Sequence, residues 1–562
     1  MTALAVVQIA VFLAALTALA FPLGVYIQRV FTGRVALERL LGPAERRFYR
    51  LARVDPDEDQ SWRAYATSLV AFSALCVVSA QVLLRTQAVH PFNPHGFHAL
   101  PWDVSLNTAV SFVTNTSWQF YAGETSLSFF SQMAVIALQS FLSAAVGLAV
   151  GIAVIRGFLR RDGGDGLGNF WVDLVRGLLY VILPICTLAS LFFVGQGVVQ
   201  GLGAGAVGPI ATWEPIKTLG SVGGGFFNVN SAMPYENPTG LSSFVQALLI
   251  VLAPAALLFT FGRMTGNRRQ GWVLYGVTVV LFTAGALMLA GAEHRVTPAQ
   301  AAAGLHGHAN LEGKDVRFGA AGTALYAEAT TTGSSGAVNG AMESFTAGGA
   351  AVALANMLTG ETIFGGIGVG LSGLLLLALL AVFLAGLMVG RTPEYLGKRI
   401  EAREVKLLSV GTLAAPVVIL VLTALAVATP YGAASRFASD TAQAFTEHLW
   451  AYTSQTMNNG SAFAGYTGFV QPHAPGNSGA YGITYANLAG SLAMLLGRYL
   501  PIIAALAVAG ALAPRRVTPA GGGTLRTDGP TFGLILMFVI VVIVILNFLP
   551  ALALGPVAGE LR

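Results

Sequence analysis

The chain has 562 residues, of which 55% are hydrophobic and only 10% charged, with a formal charge of +5; soluble domains usually hold about 25% charged residues. Its mean hydropathy of +0.68 leaves more apolar surface than a water-facing fold can bury, so lipid is the expected solvent. Disorder, collagen and a secreted disulfide scaffold are excluded, since Cys76 and Cys186 both fall inside apolar runs, and the short basic clusters beside those runs speak against nucleic acid.

Ten apolar stretches reach the roughly 20 residues needed to cross a hydrocarbon core about 30 Å thick. In chain order they are 4–27, 64–84, 130–155, 174–197, 241–262, 272–292, 368–390, 407–429, 485–513 and 531–555. The first lacks a charged leader and an obvious cleavage site and reads as a retained span. Lys and Arg cluster in alternate connections, Arg29–Arg53, Arg156–Arg161, Arg263–Arg269, Arg391–Lys406 and Arg515–Arg526. The positive-inside rule puts these in the cytoplasm and both termini outside.

The outer connections 85–129, 198–240, 293–367 and 430–484 are long, and each ends in a Thr/Ser/Asn/Gly-rich piece just before the next span. Irregular backbone is tolerated at membrane depth only where it is buried in protein or lines water, so the four pieces read as re-entrant loops around a central pathway. The expected fold is an all-α polytopic membrane protein of ten transmembrane helices, with four pseudo-symmetric span, pore-loop, span repeats around that pathway. The expected division is 1–55, an extra span and basic loop; 56–162, 163–270, 271–406 and 407–526, the four pore repeats; and 527–562, an extra C-terminal span.

Aligned, the loops read Thr114-Asn115-Thr116-Ser117-Trp118-Gln119-Phe120, Gly220-Ser221-Val222-Gly223-Gly224-Gly225-Phe226, Gly333-Ser334-Ser335-Gly336-Ala337-Val338-Asn339 and Met457-Asn458-Asn459-Gly460-Ser461-Ala462-Phe463. One register holds Gly223, Gly336 and Gly460, with Ser117 in the first loop, which marks an internal repeat. A dehydrated monovalent cation needs its water replaced by several oxygens, and rings of backbone carbonyls do this without a fixed negative charge. Glycine lets such a ladder take backbone angles that other residues avoid. A short helix before each loop, such as Ala442–Ser454, would aim its negative C-terminal end at the cavity. The candidate ion-binding residues are therefore Asn115, Thr116, Ser117, Ser221, Val222, Gly223, Ser334, Ser335, Gly336, Asn458, Asn459 and Gly460. Gln119, Gly224, Gly225 and Phe463 are candidate supports, with Phe120 and Phe226 packed beside Phe463 as a collar.

Between Gly348 and Gly390 the apolar stretch is too long for one span and is interrupted by Thr359-Gly360-Glu361-Thr362 and Gly365-Gly366-Ile367-Gly368, which reads as a broken helix. Gly365 and Gly366 either gate the pathway or allow close helix packing. Glu361 and Arg498 are ionisable residues at membrane depth, where such groups face a cavity or a partner. Arg498 fits a pathway role, a buried ion pair or snorkelling to an interface equally well. Lys217, before the second loop, either repels a second cation or sits on a solvated vestibule face, and His90, His95 and His98 lack a zinc-ligand spacing and are expected in solvent.

The sequence contains neither a G-x-x-x-x-G-K-[ST] phosphate loop nor an Asp-Lys-Thr-Gly-Thr phosphorylation run, and Gly333-Ser334-Ser335-Gly336 only superficially matches a nucleophile elbow. Intrinsic enzyme activity is not expected. Gly223–Asn228 followed by Glu236-Asn237-Pro238, Asn459–Gly465 and Gly390–Gly397 together resemble the signatures of the potassium-binding A subunits of Kdp-type potassium-transporting ATPases, the KdpA family, over essentially the whole chain. The resemblance implies a channel-like subunit of the superfamily that includes Trk, Ktr and HKT proteins. It also implies K+ as the transported ion, high-affinity uptake, and no nucleotide bound by this chain. The implied partners are a P-type catalytic subunit (KdpB-like), a C subunit (KdpC-like), a small single-span peptide (KdpF-like) and membrane lipids, in a bacterial inner (plasma) membrane. The pattern departs from the family at Ser117, Ser221-Val222, Ser335 and Met342-Glu343-Ser344; backbone carbonyls survive such changes, but side-chain support does not. The competing expectations are an autonomous Trk/Ktr-like channel or symporter and a lipid-handling membrane enzyme or scaffold.

Overall fold

The computed structural model describes residues 3–33, 35, 37–202, 207–390, 392–436, 443–468, 484–518 and 524–557. Arg391, Ala442 and the stretch 519–523 of the last basic connection lie outside the described residues. Among those described, ten helices are long and apolar enough to span a membrane: Ala3–Phe31, Trp62–Arg85, Phe129–Leu159, Phe170–Gly195, Gly240–Met264, Arg268–Ala292, Val369–Met388, Ala402–Ala428, Thr484–Leu512 and Pro530–Pro556. Each matches an expected span to within a few residues. Their starts are set by local chemistry: the Thr239 and Ser242 side chains form a reciprocal capping box, and the Asn267 side chain accepts from the Gln270 N–H.

Burial sorts the spans into two rings. The third and fifth spans, each following an outer connection, have 78% and 89% of their apolar windows buried, against 28% for the first and second. The outer spans present residues such as Leu75, Leu188, Leu191 and Leu546 to lipid. Without a hydrophobic drive between helices in lipid, contact comes from close backbone approach. On the first span a Cβ at Gly24 would sit 2.5 Å from the Ala256 carbonyl oxygen of the fifth, and the Thr260 hydroxyl donates to the Gly24 carbonyl at 3.1 Å.

The basic connections meet on one side and are cross-tied there. Arg156 pairs with Asp173 at 2.6 Å, Asp173 also accepts from the Tyr65 hydroxyl at 3.0 Å, Arg176 pairs with Glu45 at 2.9 Å, and Arg515 with Glu404 at 2.9 Å. Glu394–Tyr395 of the Gly390–Gly397 signature pairs antiparallel with Lys398–Arg399, which follow it directly. The hairpin turns through Leu396 at φ 52° and Gly397 at φ 78°, the positive-φ pair that suits strand twist. Lys398 is buried and donates to the carbonyls of Gly157 at 3.0 Å and Leu512 at 2.8 Å, joining the C-terminal ends of the third and ninth spans. Replacing Lys398 by Met leaves those carbonyls without this donor at about 1–3 kcal/mol for each buried group. Thermal unfolding of the detergent-solubilised chain is expected to move down by several degrees, and the exposed Arg403→Met to leave it in place.

The expected break lies ahead of the seventh span: a half-helix Ala347–Leu358, an irregular stretch 359–368, then the span itself. Gly360 at φ 73°, Glu361 at φ 59°, Phe364 at φ 49° and Gly368 at φ 80° are left-handed, which an α-helix does not accommodate.

Candidate functional site

Four short helices, Trp102–Val113, Ile210–Leu219, Gly319–Thr332 and Ala444–Thr456, precede the four re-entrant loops. All four end in the same turn. The amide N–H groups of Thr116, Val222, Ser335 and Asn459 donate to the carbonyls of Ser111, Lys217, Thr330 and Ser454 at 2.8, 3.0, 3.0 and 2.8 Å. The residue before each donor is left-handed: Asn115 at φ 65°, Ser221 at φ 51°, Ser334 at φ 50° and Asn458 at φ 50°. This is the Schellman termination, which usually takes glycine at the left-handed position. Here the residues carry side chains that bond outward. Asn115 Nδ2 donates to the Gly220 and Ser221 carbonyls, each at 3.1 Å, and Asn458 Nδ2 donates to Thr116 Oγ1 at 2.8 Å. Ser334 Oγ donates to the Met457 carbonyl at 3.3 Å, and Ser221 Oγ to the Ile250 carbonyl at 3.1 Å. That last acceptor is available because Pro254, four residues on in the fifth span, has no N–H to offer it.

The aligned register closes these loops into a ring. A Cβ on Gly223 would overlap the Gly336 nitrogen; one on Gly336 would lie 2.9 Å from the Gly460 carbonyl carbon; one on Gly460 would overlap the Thr116 carbonyl oxygen. A Cβ on Gly224 would lie 2.7 Å from the Ser117 carbonyl oxygen, completing the circuit from the second loop back to the first. Left-handed backbone recurs at Ser117 (φ 59°), Gly223 (φ 95°) and Gly460 (φ 97°), but not at Gly336. The sequence argument that glycine serves backbone angle at this register therefore needs correcting twice: Ser117 takes the angle without glycine, and Gly336 is required by close approach. Ser117, Gly223, Gly336 and Gly460 all line one outer cavity of about 490 Å³, whose wall includes Asn228 and Glu343.

The supporting residues lie around this ring. Gln119 Oε1 accepts the Gly225 N–H at 3.0 Å, so the first loop braces the end of the second. Phe120, Phe226 and Phe463 are all buried, with Phe463 packed on Trp450 at 4.7 Å between centroids. Gln119→Leu removes the acceptor of a buried N–H, a loss of about 1–3 kcal/mol. It is expected to raise the cation concentration that half-saturates binding about tenfold with little change in fold, as read by a titration of the purified chain.

Lys217 is not on a vestibule face. It is buried and ion-paired with Glu214 at 3.2 Å and with Glu236. His95 and His98 are exposed and His90 packs against the Phe130 ring. The loop sequences alone did not point to Asn230, whose Nδ2 donates to the Gly223 carbonyl at 2.7 Å, or to Ser143, whose Oγ donates to Asn115 Oδ1 at 2.7 Å. Nor did they point to Thr330, whose Oγ1 lies 2.6 Å from both the Ser335 and Ala337 carbonyls. The available signal was polarity at buried positions, Ser143 and Thr330 inside helices and Asn230 seven residues past Gly223.

The broken stretch lies beside the third loop. A Cβ on Gly366 would be 3.1 Å from Glu361 Oε2 and 3.8 Å from Ser334 Cβ, and one on Gly365 would overlap the Glu361 carbonyl. Gly368 and the third span's Gly147 are so close that a Cβ on Gly368 would overlap the Gly147 carbonyl. Arg498 is buried beside the same crossing, 3.3 Å from where a Gly147 Cβ would stand. Among the described residues no ion pair within 4.0 Å joins Arg498 to Glu361. A cavity of about 90 Å³ lined by Thr359, Glu361, Met457, Gly497 and Pro501 opens beside the break.

The family model described as the potassium-transporting ATPase A subunit, KdpA, matches residues 10–561. The chain is 48% identical over 568 residues to the potassium-transporting ATPase potassium-binding subunit of Methylobacterium nodulans, covering 99% of this chain and 97% of that one. It is 46% identical over 570 residues to the protein of the same name from Granulibacter bethesdensis, covering 99% and 98%. Among solved structures its fold is similar to that of the potassium transporter TrkH from Vibrio parahaemolyticus, with a TM-score of 0.53 at 14% identity, covering 87% of this chain and 96% of that one.

Proposed function

Because the chain belongs to the family of potassium-transporting ATPase A subunits, we propose that it is the potassium-binding subunit of a Kdp-type ATPase, taking K+ from the outer side into a filter made by its four re-entrant loops. One observation carries the filter reading: four helix ends with the same left-handed turn meet as a closed ring on the floor of one outer cavity. K+ sheds its water onto oxygens of Asn115, Thr116, Ser117, Ser221, Val222, Gly223, Ser334, Ser335, Gly336, Asn458, Asn459 and Gly460. The C-terminal ends of four helices add negative potential there without a fixed carboxylate that would hold the ion too long. Gln119, Gly224, Gly225 and Phe463 hold the loops from behind.

Glu361, Gly365, Gly366 and Arg498 form the gate beneath the filter. The break obstructs straight passage, and K+ turns sideways past Glu361 into the adjoining cavity toward a P-type catalytic subunit. ATP hydrolysis belongs to that partner, and a KdpC-like subunit and a KdpF-like single-span peptide complete the assembly in a bacterial inner membrane. The chain divides functionally at 1–55, 56–162, 163–270, 271–406, 407–526 and 527–562, with the four central units as pore repeats.

ATPase activity of the complex purified with co-expressed partners, titrated with K+ and with Na+ at matched ionic strength, tests the reading. Stimulation by K+ at far lower concentration than by Na+ is expected. Absence of an associated ATPase, together with passive Rb+ flux through liposomes containing this chain alone, would instead make it an autonomous channel.

A further inference from the structure

Behind the second loop lies a buried charge cluster that the ion path does not touch. Lys217 Nζ on the second pore helix bonds Glu214 Oε2 at 3.2 Å, Glu236 Oε1, and Ser231 Oγ at 2.8 Å. Among the described residues Glu214 Oε1 and Glu236 Oε2 have no hydrogen-bond partner, and all three charged side chains are about 1% exposed. Three charges in so dry a place are costly to bury and do not by themselves stabilise a fold relative to apolar packing. Their connections lead to the filter. Ser231 also accepts from the Tyr326 hydroxyl of the third pore helix at 3.0 Å. The Ser231 N–H donates to Asn230 Oδ1 at 2.8 Å. Asn230 holds a left-handed φ of 52°, and its Nδ2 donates to the Gly223 carbonyl at 2.7 Å while its Oδ1 accepts from the Val338 N–H, beyond the third loop, at 3.3 Å. The other end of Lys217 is tied as well, because its own carbonyl accepts from the N–H groups of Val222 and Gly223, both at 3.0 Å.

We infer that Lys217, Glu214 and Glu236, acting through Ser231 and Asn230, are positioning residues that fix the Gly223 carbonyl against the third loop and so set the discrimination of K+ from Na+. The inference rests on the filter reading above. A ring of carbonyls favours the larger ion only while it resists collapse onto the smaller one, or while its dipoles keep a fixed number and orientation. Either way, the Gly223 carbonyl must not swing freely. A bond from a buried amide whose backbone is strained, and whose neighbour is clamped by an ammonium, supplies that restraint from outside the ion path. The cluster joins the second and third pore helices through Ser231, so it also fixes the spacing of two adjacent loops.

The test uses the purified complex, with ATPase titrated by K+ and by Na+. Asn230→Gly keeps the left-handed backbone and removes the side-chain bonds to Gly223, Val338 and Ser231. Lys217→Gln combined with Glu214→Gln removes the ammonium clamp while keeping the net charge of the cluster. Each is expected to lower the ratio of half-stimulating Na+ to half-stimulating K+ by about tenfold, the scale of one buried hydrogen bond, with maximal rate and yield of complex little changed. A merely structural role would lower yield or maximal rate and leave the ratio alone, and that result overturns the inference. If the double variant fails to assemble, Asn230→Gly decides alone. A wild-type complex that K+ does not stimulate would defeat the filter reading itself, whereas a K+-selective wild type with an unchanged ratio in Asn230→Gly would defeat only the positioning role.

Discussion

Gly223→Asp is expected to remove selective K+ stimulation, raising the half-stimulating K+ concentration at least about a hundredfold, which corresponds to about 2.7 kcal/mol. Two causes add. Gly223 holds φ 95°, which residues with side chains rarely adopt, and the space its Cβ would need is occupied by the Gly336 nitrogen. The second loop must therefore move away from the third and take its carbonyl out of the ring. The carboxylate then faces the cavity floor and attracts any cation, divalent ions included. Gly223→Ala separates the terms, because it carries the steric conflict without the charge and should lose K+ affinity without gaining a preference for divalent cations. Titration of the complex with K+, Na+ and Mg2+ at fixed ionic strength reads both. Wild-type selectivity in Gly223→Asp would remove the second loop from the filter.

Arg498→Met is the variant with the next largest expected effect. Arg498 is buried on the ninth span beside the crossing of Gly147 and Ile367, and Glu361 is buried in the break below Ser334. The two form no ion pair within 4.0 Å, so removing the guanidinium takes from Glu361 an opposing charge that acts through its field, worth about 2–4 kcal/mol for charges roughly 4–8 Å apart at an effective dielectric of about 20. Transport should fall at least about a hundredfold in Rb+ uptake by proteoliposomes. K+ binding at the outer ring should persist, because Arg498 lies at the crossing of Gly147 and Ile367 and is not one of the ring residues. Glu361→Gln together with Arg498→Met should recover thermal stability without recovering transport. Full transport by Arg498→Met would show that this charge only anchors the ninth span.

The ten spans were legible because each is a long, predominantly apolar run of the length that a membrane crossing needs. The break was legible for the same reason: Gly360, Glu361 and Gly365 interrupt a run too long for one crossing. The loop register was legible from Gly223, Gly336 and Gly460, yet the reason for each glycine was not. Gly336 is needed because Gly460 lies against it, and that neighbour is more than a hundred residues away in sequence. The left-handed role of Ser221 and Ser334 was hidden because their compensating bonds go to Ile250 and Met457 on other elements. Lys217 illustrates the same limit. Its partner Glu214 is one helical turn away, but Glu236, Ser231 and its burial depend on how the loop folds back over the helix. Sequence order shows which residues are polar and at what period; it does not show which carbonyl a buried hydroxyl finds.

The most direct test of the central claim is the location of bound ion in crystals of the complex grown with Rb+ in place of K+, read from anomalous scattering. The account predicts density on the axis of the ring formed by the Ser117, Gly223, Gly336 and Gly460 registers, absent when Na+ replaces Rb+. Rb+ density elsewhere, with none inside that ring, would contradict it.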